Sequence, residues 1–178
     1  IPRTISLTLL GNLDISTLSC PPKNRPLTKT FLVPNNKIPD CYSWLQQDII
    51  LRQTQAFIVC PFIEESESIT SIKSAKKEFE RLVKLFPKLK LALIHGKTEP
   101  ETRNKILDDF KHNKINILVT TPIIEVGIDY PNATTIIIES ADRFGLSQLH
   151  QLRGRVGRGE LQSYCYLFTE SQNDPSLN

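Results

Sequence analysis

Apolar and polar residues alternate in short and long blocks along most of the chain. The continuous apolar runs, which are typical of strands buried on both faces of a sheet, are AFIVCPFI (56–63), INILVTT (115–121) and ATTIIIES (133–140). Shorter strand-like runs are KTFLVP (29–34), KLALIH (90–95) and SYCYLFTE (163–170). Together these runs predict about six strands.

Longer segments between the runs carry apolar residues at three- and four-residue spacing, which predicts helices. The stripe expected in residues 40–53 is Tyr42, Leu45, Ile49 and Ile50. The stripe expected in residues 71–86 is Ile72, Phe79, Leu82, Val83 and Phe86. Residues 98–113 predict a third helix, and residues 146–154 predict a short one that ends at Gly154.

Strands that alternate with helices in this way predict right-handed βαβ units. The expected fold is therefore α/β, with three layers and a mainly parallel sheet between two layers of helices. Ligands of such sheets bind at the carboxyl ends of the strands. That rule selects the segments after Cys60, Ile94, Val119, Glu139 and Leu152.

The domain organisation follows from composition along the chain. SCPPKNRPLT (19–28) is rich in proline and reads as a linker, so residues 1–28 are predicted to be a connecting segment. Residues 29–170 form the predicted domain, and residues 171–178 a polar tail. The chain has no methionine, even at position 1, so we expect it to be a piece of a longer protein.

Composition limits the class of protein. With 39% hydrophobic and 23% charged residues in 178, the chain has the composition of a soluble globular domain. No apolar run approaches the roughly 18 residues of a membrane span. The four cysteines, Cys20, Cys41, Cys60 and Cys165, form no CxxC pair, so no metal site is expected. Cys60 and Cys165 lie in apolar runs and are predicted to be buried thiols, which fits a reducing cytoplasm.

The stretch IHGKTE (94–99) contains Gly96-Lys97-Thr98, which matches the end of a phosphate-binding P-loop. That loop requires an earlier glycine at position 91, where the chain has Leu91 inside a predicted strand. Ordinary helix initiation explains the triplet instead, with Thr98 and Glu101 as a capping box. The chain therefore lacks a complete nucleotide site of its own.

Residues 148–159, QLHQLRGRVGRG, form what is called here the arginine segment. Every lysine lies at or before Lys114, and arginine, which suits bidentate phosphate contacts, replaces it afterwards. On a helical turn Arg155 and Arg158 would share a face. They form either a solvated basic patch or a phosphate-contacting edge. The interleaved glycines allow the close approach of a ligand or of a second backbone, which favours the edge.

Several strings in one order resemble superfamily 2 helicases. The string at 151–158 looks like motif VI, LVTTPIIEVGIDYP (118–131) like motif V, and FIVCPFIEES (57–66) like motif IV. HGKTEPETRNKILDDF (95–110) resembles the His-Gly segment of that family and its following helix. Two longer stretches resemble the RecG and Mfd branch of these helicases, namely IPRTISLTLLGNLDIS (1–16) and RFGLSQLHQLRGRVGRGE (143–160). The residues of motif IV are more similar to those of RecG than to those of Mfd.

The resemblance implies the second of two RecA-like motor domains that face each other across ATP. Arg155 and Arg158 would then reach the phosphates, with Arg158 as the arginine finger, and Gln151 would bond near the γ-phosphate or the attacking water. In motif V, Asp129 would sense the nucleotide through its ribose. Gly127 and Gly154 would let backbone come close to it. ATP and Mg²⁺ would be held mainly by the first motor domain, which this chain lacks.

The resemblance also implies contacts with DNA. Thr121, at a strand end, would contact a phosphate, although a strand-end threonine also makes local hydrogen bonds. Phe62, His95 and Gly96 are further candidates. The implied partners are branched double-stranded DNA, the first motor domain and a wedge domain of the same chain, with no membrane and a cytoplasmic location.

The function that follows is the C-terminal motor domain of an ATP-dependent DNA helicase that remodels replication forks and Holliday junctions. One alternative is the corresponding domain of an Mfd-type transcription-repair coupling translocase. The other is a non-catalytic module with a degenerate motor fold.

Overall fold

The computed structural model describes residues 26–61, 69–121 and 130–169. The strands are β1 (Lys29–Val33), β2 (Gln55–Val59), β3 (Leu91–Ile94), β4 (Ile117–Thr120), β5 (Ala133–Ile138) and β6 (Tyr164–Phe168). The helices are α1 (Ile38–Arg52), α2 (Ile69–Leu85), α3 (Pro100–Lys111) and α4 (Leu146–Arg153). Short 3-10 turns at Asn35–Lys37 and Ala141–Arg143 lead into α1 and α4.

The six strands form one sheet in the order β1-β6-β5-β2-β4-β3, and every neighbouring pair is parallel. The predicted parallel sheet of six strands is therefore confirmed. The central strands β2, β4 and β5 are buried along their whole length, as expected of strands covered on both faces.

Two hydrophobic cores lie on the two faces of the sheet, which gives the predicted three layers. On one face, α1 contributes Tyr42, Leu45 and Ile49, α2 contributes Leu82, and Phe86 follows α2. On the other face, α3 contributes Phe110 and α4 contributes Leu152, and both pack on β2, β4 and β5. Side chains of β2 alternate between the faces, with Ile58 in the first core and Phe57 in the second.

The predicted apolar stripes of α1 and α2 each include one residue, Ile50 and Val83 respectively, that does not face the sheet. Ile50 is 49% exposed and Val83 is 43% exposed, whereas Ile49 and Leu82 beside them are buried. Adjacent residues on a helix point about 100° apart, so only one of each pair reaches the sheet. The side chain of Ile72 lies outside the described part of the chain.

The turn between β3 and α3 explains the stretch that resembled a P-loop. Leu91 begins β3, as predicted, and α3 begins at Pro100 with Glu99 as its N-cap. The predicted capping box is wrong, because the Thr98 hydroxyl accepts a hydrogen bond from the His95 amide at 2.9 Å instead. The Thr98 amide donates to the His95 carbonyl at 2.8 Å, which closes a tight turn.

The order of strands creates a topological switch point between β2 and β5. From β2 the chain crosses β4 to reach β3, whereas from β5 it moves the opposite way to β6. The two strands are neighbours, so the chain leaves their carboxyl ends in opposite directions. Such a point opens a crevice in which open α/β sheets bind ligands.

Candidate functional site

Four residues that directly follow strands share one edge of the sheet, called here the carboxyl edge: His95, Thr121, Cys60 and Glu139. Backbone hydrogen bonds extend the strands to this level. The Thr121 amide donates to Ile94 at 3.3 Å, the Cys60 amide to Thr120 at 2.8 Å, and the Glu139 amide to Val59 at 2.9 Å. The register therefore brings the segments after β2, β3, β4 and β5 side by side, as the sequence predicted.

The predicted DNA-contacting residues at this edge differ in accessibility. Thr121 is 3% exposed, its amide is engaged by Ile94, and its buried hydroxyl has no hydrogen-bond partner among the described residues. His95 and Gly96 are half-buried in the turn before α3. Burial and the positive charge of Lys76 lower the pKa of His95, which favours a neutral ring. The roles of these residues stay predictions.

A partly buried polar cluster, formed by Tyr42, Glu78, Arg81 and Glu139, lies at the carboxyl edge on the α1–α2 face. The Tyr42 hydroxyl donates to Glu139, and an Arg81 nitrogen donates to the Tyr42 hydroxyl at 3.0 Å. Arg81 Nε donates to Glu78 at 2.7 Å, and a second Arg81 nitrogen lies 3.5 Å from Glu139. The cluster ties α1 and α2 to the end of β5.

The cluster holds two carboxyl groups close together in a partly buried place. Burial, with a smaller contribution from the neighbouring charge of Glu78, raises the pKa of Glu139 to about 7, although the hydrogen bond from Tyr42 and the charge of Arg81 oppose the rise. Two carboxylates in one site cannot both ionise without a large electrostatic cost. The cluster therefore binds a proton near neutral pH.

A cleft of about 660 Å³ opens above this cluster at the switch point, and it is called here the switch-point cleft. It is lined by Cys60, Pro61, Lys77, Glu78, Glu80, Arg81, Lys84, Glu139, Ser140 and Arg143. The sequence rule on strand ends had selected the segments after Cys60 and Glu139. The cluster itself was missed, because Glu78 and Arg81 are on a helix whose partners are distant in sequence.

The arginine segment starts as the helix α4 and then leaves helical geometry. α4 ends at Arg153 with Gly154 as its C-cap, as predicted. Arg155 and Arg158 therefore do not share a helical turn, and that prediction is wrong. Val156, which lies between them in sequence, is 1% exposed and packs in the second core. Arg155, directly before it, is half-buried.

The charges of the two arginines act on each other. Burial lowers the pKa of Arg155, and the nearby positive charge of Arg158 lowers it further. Among the described residues, no carboxylate lies within ion-pair distance of Arg155. Arg153, unlike Arg155, has a side-chain contact within its own helix, because its guanidinium lies 3.2 Å from His150 Nδ1. Gln151 is exposed on α4. Two repelling cations on one surface favour the binding of an anion.

The glycines of the arginine segment are explained by packing within the chain. Gly157 has φ +74°, and a Cβ there would lie 2.6 Å from the Thr28 hydroxyl. A Cβ on Gly159 would lie 2.7 Å from the Pro131 carbonyl oxygen. The interleaved glycines were expected to allow the close approach of either a ligand or a second backbone, and Gly159 is approached by the backbone of Pro131. Gly154 has ordinary helical φ and stays a predicted nucleotide contact.

These contacts also locate the arginine segment on the sheet. Thr28 and Pro131 precede β1 and β5, so Gly157 and Gly159 lie at the amino ends of the strands. The expectation that the segment after Leu152 lies at the carboxyl ends is therefore wrong, because Leu152 belongs to a helix that runs back across the sheet. The predicted site residues Phe62, Gly127 and Asp129 lie outside the described residues.

The comparisons with known proteins agree with this fold and these motifs. The model of the helicase conserved C-terminal domain matches residues 41–160. The RecG helicase of Thermotoga maritima is 44% identical over 168 residues, which cover 94% of this chain and 21% of the relative. The RecG helicase of Streptococcus pneumoniae is 43% identical over 175 residues, which cover 98% of this chain and 26% of the relative.

Solved structures give the same result. A structure of RecG bound to a three-way DNA junction matches with a TM-score of 0.76 and 41% identity, over 95% of this chain and 22% of that one. Domain 2 of the DEAD-box helicase Mss116p, bound to an RNA duplex, matches in fold with a TM-score of 0.62 and 22% identity, over 80% of this chain and 54% of that one.

The chain thus spans about a fifth to a quarter of the length of its curated relatives. These relatives are named RecG and not Mfd, which confirms the prediction from the residues of motif IV that the chain is of the RecG type. With a family model that covers residues 41–160 and a RecA-like three-layer fold, the chain belongs to the family of helicase conserved C-terminal domains and is of the RecG type.

Proposed function

We propose that the chain is the C-terminal motor domain of an ATP-dependent DNA helicase that remodels branched DNA, such as replication forks and Holliday junctions. The observation that carries the proposal is the arginine segment, in which Arg155 and Arg158 flank a buried anchor, Val156. The curated relatives, named ATP-dependent DNA helicases, support it.

The arginine segment fits the phosphates of ATP. The guanidinium of Arg155 has no acidic partner among the described residues, and the charge of Arg158 makes its surroundings more positive. Planar guanidinium groups suit bidentate contacts with phosphate oxygens. ATP supplies the phosphoryl group that is transferred, and the residues of this chain bind and orient its phosphates. Arg158 would stabilise the charge of the transition state, and Gln151 would orient the nucleophilic water.

The rest of the nucleotide site would belong to another part of the full-length protein. The turn that resembles a P-loop consists of a strand end and a helix start, and it offers no loop of amide donors. We therefore place Mg²⁺ and most contacts with ATP on a first RecA-like domain. Gly127 and Asp129 would add contacts from motif V, and Gly154 from motif VI.

The DNA partner rests on the relatives. A RecG protein has been solved in complex with a three-way DNA junction. By analogy, a wedge domain of the same protein would engage the junction while this domain contacts the phosphate backbone. Thr121, Phe62, His95 and Gly96 remain the proposed contacts.

The proposed location is the cytoplasm. Cys41, Cys60 and Cys165 are buried free thiols, which fits a reducing compartment. Within the part of the chain that the structure describes, no helix is long and apolar enough to cross a membrane.

The decisive experiment concerns Arg158 in the full-length protein that contains this domain. The variant Arg158→Ala should lower the rate of ATP hydrolysis by about 10³-fold or more, because arginine fingers contribute about 10³ to 10⁵ in other nucleotide hydrolases. Its affinity for junction DNA should remain within about twofold. Hydrolysis is measured with a coupled assay, and DNA affinity is measured by fluorescence anisotropy.

The matched control is Arg153→Ala, which removes an equal charge from the same segment. Arg153 contacts His150 on its own helix, so this variant should retain most of the hydrolysis rate. Equal rates for Arg158→Ala and the wild type would exclude the arginine-finger role. The isolated 178-residue chain should hydrolyse no ATP, with or without branched DNA.

A further inference from the structure

The switch-point cleft carries a row of three cations on one face of α2. Lys77, Arg81 and Lys84 follow each other at four- and three-residue spacing, and all three line the cleft. This spacing places them on one stripe of the helix, with the two lysines roughly 10 Å apart along its axis. The stripe therefore presents positive charge to the cleft over a length of two helical turns.

The three cations differ in what already neutralises them. Arg81 is bonded to Glu78 and Tyr42 and lies close to Glu139, so the cluster neutralises its charge. Among the described residues, Lys77 and Lys84 lie within 4 Å of no carboxylate. Both are exposed. These two ammonium groups are thus the charges in the cleft that an external anion can neutralise.

The acidic residues of the cleft do not cancel this charge. Glu78 and Glu139 share Arg81, and the raised pKa of Glu139 keeps part of the pair protonated near neutral pH. Within the described ranges, Glu80 is the one acidic residue outside the cluster that lines the cleft. Arg143, from the turn that follows β5, also lines it. The sum of these charges is positive.

We propose that the switch-point cleft is a phosphate-binding site for the DNA backbone, with Lys77 and Lys84 as its phosphate-contacting residues. This inference rests on the proposed function, since it assigns a surface of this domain to the DNA. It adds residues of α2 to the contacts, whereas the sequence motifs placed them in motif IV, motif V and the His-Gly turn.

Two features favour the DNA backbone over a free nucleotide as the ligand. Pockets for small molecules are lined mainly by apolar and aromatic side chains, whereas seven of the ten described residues that line this cleft are charged. The cleft also lies on the α1–α2 face at the carboxyl edge, whereas the arginine segment packs on the other face at the amino ends of the strands. Phosphate contacts by lysine on an open surface are typical of sequence-independent DNA binding.

The test measures how the 178-residue chain binds a fluorescein-labelled duplex between 50 and 200 mM salt. Each phosphate contact on duplex DNA contributes about −0.9 to the slope of log K against log salt. The double variant Lys77→Ala/Lys84→Ala should therefore have a slope shallower by about 2. Its loss of affinity relative to the wild type should be about tenfold greater at 50 mM than at 200 mM.

The matched control is Lys88→Ala/Lys90→Ala, which removes the same charge from the segment before β3, at the opposite edge of the sheet. Both lysines of the control are exposed. The control should retain the wild-type slope within about 0.5, since it removes no proposed phosphate contact. Thermal unfolding by circular dichroism checks that both double variants remain folded.

Three results would overturn the inference. The first is a wild-type chain that does not bind duplex DNA at 50 mM salt. The second is an equal loss of slope in both double variants, which would indicate only a general effect of charge. The third is binding of Mg²⁺-ATP to the isolated chain that is lost in Lys77→Ala/Lys84→Ala, which would place a nucleotide in the cleft. None of these results removes the role of Arg158, which hydrolysis by the full-length protein tests separately.

Discussion

The substitution Glu139→Gln should make the domain more stable at alkaline pH than the wild type. In the folded chain the pKa of Glu139 is about 7, against an ordinary value of 4.5, chiefly because the carboxyl group is buried. A difference of this size corresponds to about 3 kcal/mol between the protonated and the ionised forms. Glutamine has nearly the same shape and cannot ionise, so the variant avoids this cost.

The sign follows from proton binding. Between pH 4.5 and about 7 the folded state binds the Glu139 proton more tightly than the unfolded state, so this group stabilises the fold fully below pH 4.5. The contribution falls as the pH rises through 7. His95, whose pKa is lowered, has the opposite trend, but it is present in both proteins and cancels in their difference. The variant should therefore lie within about 1 kcal/mol of the wild type near pH 5 and exceed it by up to about 3 kcal/mol at pH 8.

The assay is thermal and urea unfolding followed by circular dichroism at pH 5, 6, 7 and 8. For a domain of this size, 3 kcal/mol corresponds to a rise of about 6 to 12 °C in Tm. Glu80→Gln is the matched control, because Glu80 lines the same cleft but is exposed. Its unfolding free energy should follow that of the wild type at every pH. Parallel curves for Glu139→Gln and the wild type from pH 5 to 8 would refute the reasoning.

Three further predictions concern packing and reactivity. Gly157→Ala should lower the free energy of unfolding by about 1 to 3 kcal/mol, since φ is +74° and a Cβ would meet Thr28; Gly145→Ala, where the nearest atom lies at 3.9 Å, should change it by less than about 0.5 kcal/mol in the same urea titration. Leu82→Ala should cost about 2 to 5 kcal/mol, because Leu82 is fully buried, and thermal unfolding should show the much smaller effect of Val83→Ala, which shortens a 43% exposed side chain. Burial raises the pKa of the Cys165 thiol to about 11, so mass spectrometry should find it unmodified by iodoacetamide at pH 8 in the folded chain and alkylated in urea.

The fold was predictable because its signals are local and repeated. Apolar runs such as the one that contains β2 are buried on both faces, and that burial requires helices on both sides. The helix boundary at Gly154 was predicted from a single glycine after a periodic segment. The width of the apolar stripe was not predictable at Ile50 and Val83. Both residues are apolar, and only the position of the sheet decides which neighbour is buried.

A single stretch of sequence was enough to propose the arginine segment as a candidate site, whereas a cluster formed by distant segments could not be proposed. Arg155 and Arg158 stand three residues apart, and their string alone indicated a phosphate contact. Their local geometry was predicted wrongly, because the helix ends at Arg153 once Val156 turns into the core. In contrast, Tyr42 and Glu139 are 97 residues apart in sequence. A charged residue that directly follows the buried strand β5 is the one signal that could have indicated such a cluster.

The polar cluster of Tyr42, Glu78, Arg81 and Glu139 adds little to the stability of the fold, but it orients the side chains that line the cleft. A partly buried group of two carboxyls and one guanidinium adds little to stability compared with apolar side chains of the same size. Its hydrogen bonds, however, fix Arg81 against both Tyr42 of α1 and Glu78 of α2, with Glu139, which directly follows β5, at 3.5 Å. Because Arg81 is held in this way, the rotation of α2 about its axis is fixed at that point. Lys77 and Lys84, about one turn to either side of Arg81, are then held toward the cleft, where the proposed phosphate contacts require them.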